Sequence, residues 1–162
     1  MLRKTISVLS VVLAAFGIVM AAAMPASAAT NRMLSVWGNV HIEDYESFSS
    51  NEHCYSTMNT NRTASPAYPI DIEWTRTCGG EIRAELYMEV QVLSNNYLSV
   101  IGKVLFFEGT STGTSDLDGQ KNFTLYVQPN TSVPLNLRVW NTAENEAEDQ
   151  VIYNLRVANY NP

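Results

Sequence analysis

Basic residues are scarce in this 162-residue chain: ten Lys and Arg stand against 16 Asp and Glu, a formal charge of −6. An acidic chain repels phosphate backbones, so nucleic acid is excluded as a partner, and anionic membranes are disfavoured unless a cation bridges. Cysteine is scarcer still. Cys54 and Cys78 are the only two, so a single disulfide connectivity exists, and neither lies near the N-terminus to accept a lipid. Long apolar runs are limited to one, at the N-terminus, so the remainder is expected to be soluble and not membrane-spanning. Internal repeats, low-complexity linkers and a C-terminal lipidation signal are also missing, which leaves one ordinary domain.

The N-terminal run has an ordered layout. Arg3 and Lys4 form a short basic region, Ile6 to Ala23 is uncharged and mostly apolar, Pro25 follows, and Ala26-Ser27-Ala28 makes an A-x-A cleavage pattern. The pattern predicts a signal peptide over residues 1–28, cleaved after Ala28, and one domain over residues 29–162. The rival reading is a retained anchor, whose apolar run of about 18 residues stands at the lower limit for spanning a bilayer. Cleavage removes Arg3 and Lys4 but no acidic residue, so the mature charge is about −8. A secreted or periplasmic address follows. In that oxidising setting Cys54 and Cys78 are expected to pair, which stabilises the fold by about 3 kcal/mol in the chain-entropy model.

Period two dominates the rest. Ile82, Ala84, Leu86, Met88, Val90 and Val92 alternate with Glu81, Arg83, Glu85, Tyr87, Glu89 and Gln91, a strand with one buried and one wet face. Tyr97 to Phe107 is more apolar on both faces and predicts a central strand, with Gly102 marking a bulge or close packing. Lys121 to Val127, Val133 to Trp140, and a last strand carrying Val151, Tyr153, Leu155 and Val157 follow. Leu34 to Ile42 alternates at the front, and Ile70, Ile72 and Trp74 mark another strand before Cys78. Residues 43–69 are polar and read as a long loop held by the Cys54–Cys78 bridge, with room for a short extra strand. About seven strands without a helix predict an all-β antiparallel two-sheet β-sandwich with Greek-key connections, the runner-up being a small β-barrel.

No catalytic constellation stands out. His41, beside Glu43, reads as a general base, a metal ligand or a plain exposed strand histidine. His53 adjoins Cys54, but neighbouring strand residues point to opposite faces and Cys54 has a disulfide partner, which argues against a Cys–His nucleophile. Glu81, Glu85 and Glu89 share one strand face. A glycosidase needs two carboxyls across a sugar, whereas Arg83 among them makes an ordinary solvated face.

The most specific local feature is Asp116-Leu117-Asp118-Gly119, a D-x-D-G core of the kind found in calcium loops. It is not an EF-hand, because Thr114 stands where the first acidic ligand belongs and Leu125 where the last Glu belongs. Successive connections of an antiparallel chain alternate between the two ends, so loops 109–120 and 141–149 are expected at one end. Asp116, Asp118, Glu148 and Asp149 then bring hard oxygen ligands to one rim, as a calcium site requires. The arrangement resembles the loop-end calcium sites of C2-type sandwiches, in placement and not in sequence. The plain alternative is solvation by acidic loops.

Trp37 and Trp140 fall on the phase opposite the aliphatic face of their strands, as aromatics exposed for ligand recognition would. Packing against a covering layer is the competing explanation. The expected function is a non-enzymatic exported binding or structural module, acting on an extracellular protein or glycan, with calcium as the candidate cofactor. The alternatives are a carbohydrate-binding module using Trp37, Trp140 or the tyrosines, a secreted inhibitor or partner-binding domain presenting residues 43–69, and a small carboxylate hydrolase.

Overall fold

Wherever the sequence alternates, the backbone is strand. The structure, a computed structural model, describes residues 28–45, 50–143 and 146–162. The expected leader, apart from Ala28, lies outside the described residues. Eight strands follow in order: β1 (Arg32–Asp44), β2 (Glu52–Ala64), β3 (Ile70–Cys78), β4 (Ile82–Val92), β5 (Leu98–Phe107), β6 (Leu117–Val127), β7 (Thr131–Asn141) and β8 (Glu146–Tyr160). They form two four-stranded antiparallel sheets, sheet A in the order β2-β1-β8-β7 and sheet B in the order β3-β4-β5-β6. The fold is a β-sandwich.

Two details depart from expectation. The connectivity is not Greek-key: apart from β1 against β8, every hydrogen-bonded neighbour is also the next strand in the chain. This is the order of an up-and-down barrel opened at two seams, β2/β3 and β6/β7, where no ladder runs. Short connections favour this outcome, because pairing consecutive strands closes the smallest loops. The second departure is β2. About half of the segment read as a loop is a long edge strand, paired with β1 from Glu52 to Ala64. Ser56 and Thr60 interrupt the apolar phase of β2, so period two is invisible there. The ladder with β1 and the disulfide supply what apolar burial does not.

Both inner faces feed one core, built on Val36, Val40 and Ile42 of β1, Leu86 and Met88 of β4, Val104 and Phe106 of β5, and Tyr153 and Leu155 of β8. The seams are stapled at one end. Cys54–Cys78 joins β2 to β3. Across β6/β7, the Thr142 N–H donates to the Asp118 carbonyl at 2.8 Å, and Asn141 Nδ2 donates to Glu108 Oε2 at 2.8 Å. At the far end the buried Arg32 donates from Nε to Asn159 Oδ1 at 2.7 Å, while Asn159 Nδ2 donates to the carbonyls of Asn96 and Val127 at 2.8 and 2.9 Å. Buried polar groups paired this way avoid the desolvation cost that orphaned ones carry.

Candidate functional site

The acidic loops meet at the stapled end, as the Thr142–Asp118 hydrogen bond requires. Their carboxylates are deployed separately. β6 starts at Leu117, so Asp118 is a strand residue. Phe107 pairs with Leu117 and Phe106 with Gly119, which leaves Asp118 as the extra residue of a bulge. Its Oδ2 accepts the Glu108 N–H at 2.7 Å and stitches that bulge to the next loop. Asp116 and Asp118 line a small recess with Glu81, Glu108 and Gly109. Glu148 and Asp149 lie on β8; Glu148 is exposed, while Asp149 is buried and its Oδ1 accepts the Tyr45 N–H at 2.6 Å. Among the described residues, Asp116, Asp118, Glu148 and Asp149 do not form a trio of mutually close ligand atoms. The trio that does is His41, Glu43 and His53.

Trp37 and Trp140 occupy the outer face of sheet A, as their phase predicts, and both are half-buried. Trp140 pairs with Gln150, which pairs with Glu43, six register positions beyond Trp37. Six positions amount to roughly 20 Å along a strand, so the two indoles make no common platform. Glu85 is held by its neighbours: Arg83 Nε donates to Oε1 at 2.7 Å and the Tyr87 hydroxyl to Oε2 at 2.7 Å. The Tyr87 hydrogen bond to Glu85, with burial and the charges of Glu85 and Glu73, raises the phenol pKa above its ordinary value. Glu81 sits apart at the acidic rim.

The outer face of sheet B carries a groove of about 500 Å³ across all four strands. Register explains its lining. One outward row reads Glu73, Tyr87, Lys103, Asn122, and the next reads Asp71, Glu89, Ile101, Thr124. Ile101 is 54% exposed, unusual for an isoleucine at mid-strand. The Lys103 ammonium stands 5.3 Å from the Tyr87 ring centre. Beneath the floor, Gly102 has no side chain because the Phe123 ring fills that place from β6: a Cβ on Gly102 would come within 2.4 Å of Phe123 Cζ.

A third feature lies on sheet A. Because β2 pairs with β1, His53 stands opposite Glu43 and Tyr55 opposite His41. His41 Nε2 and His53 Nδ1 are 3.3 Å apart, and Glu43 Oε1 lies 3.6 Å from His53 Nδ1. Reading residues 43–69 as a loop hid this arrangement. The signal that reveals it is the odd-numbered phase shared by His41, Glu43, His53 and Tyr55, which a hairpin centred between Asp44 and Glu52 folds onto one face. No protein-family model, curated protein or solved structure matches the chain.

Proposed function

We propose that the chain is an exported, non-enzymatic binding module whose ligand, a glycan chain, lies in the groove across sheet B. The groove carries this reading. Three strand spacings separate its outer walls by roughly 14 Å, room for a short run of sugar units. Its floor alternates an aromatic ring and an exposed isoleucine with carboxylates, an amide and a hydroxyl, the mixture of apolar and hydrogen-bonding surface that small-molecule sites use. Asp71, Glu73 and Glu89 against Lys103 favour a neutral or amine-bearing chain over an anionic one. Export is supported by the N-terminal pattern and by the Cys54–Cys78 bridge, since disulfides persist in oxidising compartments.

The test is affinity electrophoresis of the purified protein through gels holding soluble neutral or amine-bearing polysaccharides. Retardation by at least one is expected, with Tyr87→Ala weakening it about tenfold, the value of one lost aromatic contact. Trp140→Ala leaves it unchanged. Loss on Trp140→Ala alone moves the ligand to sheet A, and no retardation on any glycan refutes the reading.

A second reading keeps calcium at the stapled rim, favoured by the meeting of the two acidic loops through Thr142 and Asp118. Millimolar calcium is then expected to raise the melting midpoint over that in EDTA by several degrees, through roughly 2.7 kcal/mol at a hundredfold excess over the dissociation constant. Asp116→Asn removes the rise. An unmoved midpoint leaves the rim carboxylates to solvation and to the bulge.

A further inference from the structure

We infer that His41, Glu43 and His53 form a binding site for a divalent transition-metal ion, with zinc or copper(II) the ions it suits. The three ligand atoms lie within 4.8 Å of one another on the outer face of sheet A. This is separate from both the sheet B groove and the acidic recess. Two imidazole nitrogens and one carboxylate oxygen are a borderline donor set, which suits zinc and copper and not calcium, whose ligands are all oxygen.

The spacing fits such an ion. Bonds of about 2.0–2.1 Å in tetrahedral geometry place neighbouring ligand atoms about 3.3–3.4 Å apart. The structure holds His41 Nε2 and His53 Nδ1 at 3.3 Å and Glu43 Oε1 and His53 Nδ1 at 3.6 Å. The third pair, between His41 and Glu43, lies within 4.8 Å, and side-chain rotation is what would close it to that spacing.

The surroundings orient the ligands. Gln150 Nε2 donates to Glu43 Oε2 at 2.8 Å, so one carboxylate oxygen is held while the other is turned to His53. Gln150 is itself held by Arg138, whose Nε donates to its Oε1. The His41 ring stacks on Tyr55 with 4.3 Å between centroids and 5° between planes, which limits rotation of the imidazole. Hydrogen-bonded outer partners of this kind are what fix metal ligands in place. Beneath the same strands, Cys54 is directly opposite Ile42 and bonded to Cys78, so the disulfide pins the backbone next to His53. The hairpin thus presents metal ligands outward and a covalent anchor inward at adjacent residues, as strand alternation dictates.

Three protein ligands leave at least one coordination position open. His41 and Tyr55 also line a groove of about 440 Å³ with Asn39, Thr57 and Asn154, so the open position adjoins space for water or an incoming donor. The site takes the ion itself and stays accessible to a donor group from outside. A structural zinc site, by contrast, is closed by four protein ligands.

The experiment titrates Zn²⁺ into the purified, oxidised protein against a chromophoric competitor, and records the paramagnetic resonance spectrum of the Cu²⁺ form. One equivalent of Zn²⁺ is expected to bind. His41→Ala and His53→Ala each lower the affinity at least about tenfold, as does Gln150→Ala, which removes the carboxylate's orienting partner. The Cu²⁺ spectrum shows coupling to two nitrogens, falling to one in His53→Ala. Asp118→Asn, at the acidic recess, leaves both readouts unchanged. If an alanine variant fails to fold, His53→Gln reports the same loss, because its side chain is 44% exposed and supports no core. Absence of saturable Zn²⁺ binding overturns the site, as does binding that survives the His41→Ala/His53→Ala double variant.

Discussion

Gly38→Ala is expected to destabilise the protein by about 4 kcal/mol, the largest effect of any single added methyl group. Gly38 lies in the middle of β1, the central strand that pairs with β2 on one side and β8 on the other, opposite Met58 and Leu155. Its φ is +148°, a conformation side-chain-bearing residues rarely adopt. A Cβ there would come within 2.2 Å of the Asn154 carbonyl oxygen and 2.8 Å of Leu155 Cα. Both are backbone atoms of β8, so relief cannot come from turning a flexible side chain. Either the β1–β8 ladder separates locally or β1 changes its path, and each loses hydrogen bonds at the centre of sheet A. Urea or thermal melting measures the effect. At about 3–4 °C per kcal/mol for a domain of this size, the midpoint should fall by more than 10 °C. Gly80→Ala is the control: a Cβ there meets nothing within 4 Å, and the expected change is within about 0.5 kcal/mol. Equal midpoints for the two variants would disprove the close approach of β1 and β8.

Removing the disulfide, by Cys54→Ala with Cys78→Ala, is expected to cost about 3 kcal/mol. The bridge closes a loop with a sequence separation of 24 residues, and cutting it returns that closure entropy to the unfolded chain. Its location adds a structural consequence. β2 and β3 are the facing edge strands of the two sheets, with no ladder between them, and the bridge cross-links that seam at the end opposite the 65–69 connection. Hydrogen exchange should therefore speed up first in β2, an edge strand with few buried apolar residues, while β4 and β5 stay protected. In urea the midpoint should fall by about 1–2 M. A midpoint unmoved by both the double substitution and reductant would mean that the β1–β2 ladder alone holds the edge.

Several elements were legible in advance because they repeat within themselves. The alternation from Ile82 to Val92 names its own buried and exposed faces, and the structure buries Ile82, Leu86 and Val90 while leaving Glu89 and Gln91 out. The Cys54–Cys78 pair follows from the cysteine count together with the export expected from the N-terminal pattern, and the structure bonds the two. Gly102 reads as either a bulge or a point of close packing, and the structure has the second: the Phe123 ring occupies that place, while the register shift falls at Phe106/Phe107. β2 escaped because an edge strand needs no continuous apolar stripe: Met58 and Ala64 are its buried apolar residues, and main-chain pairing does the rest. Asp118 looked like a loop ligand because a bulge and a turn have the same composition.

Sandwich class, the inward phase of most strands and the shared end of the acidic loops were all readable along the chain, since each depends on residues two apart or on the parity of the connections. Register, seams and cross-strand neighbours were not. Which residue stands opposite Glu43, or which four side chains make one row over sheet B, depends on where hairpins turn and where a bulge adds a residue. A shift of one position would send His53 to the inner face and dissolve the metal trio. Only the folded sandwich, with β2 locked to β1 along its full length and tied through Cys54 to β3, settles that register.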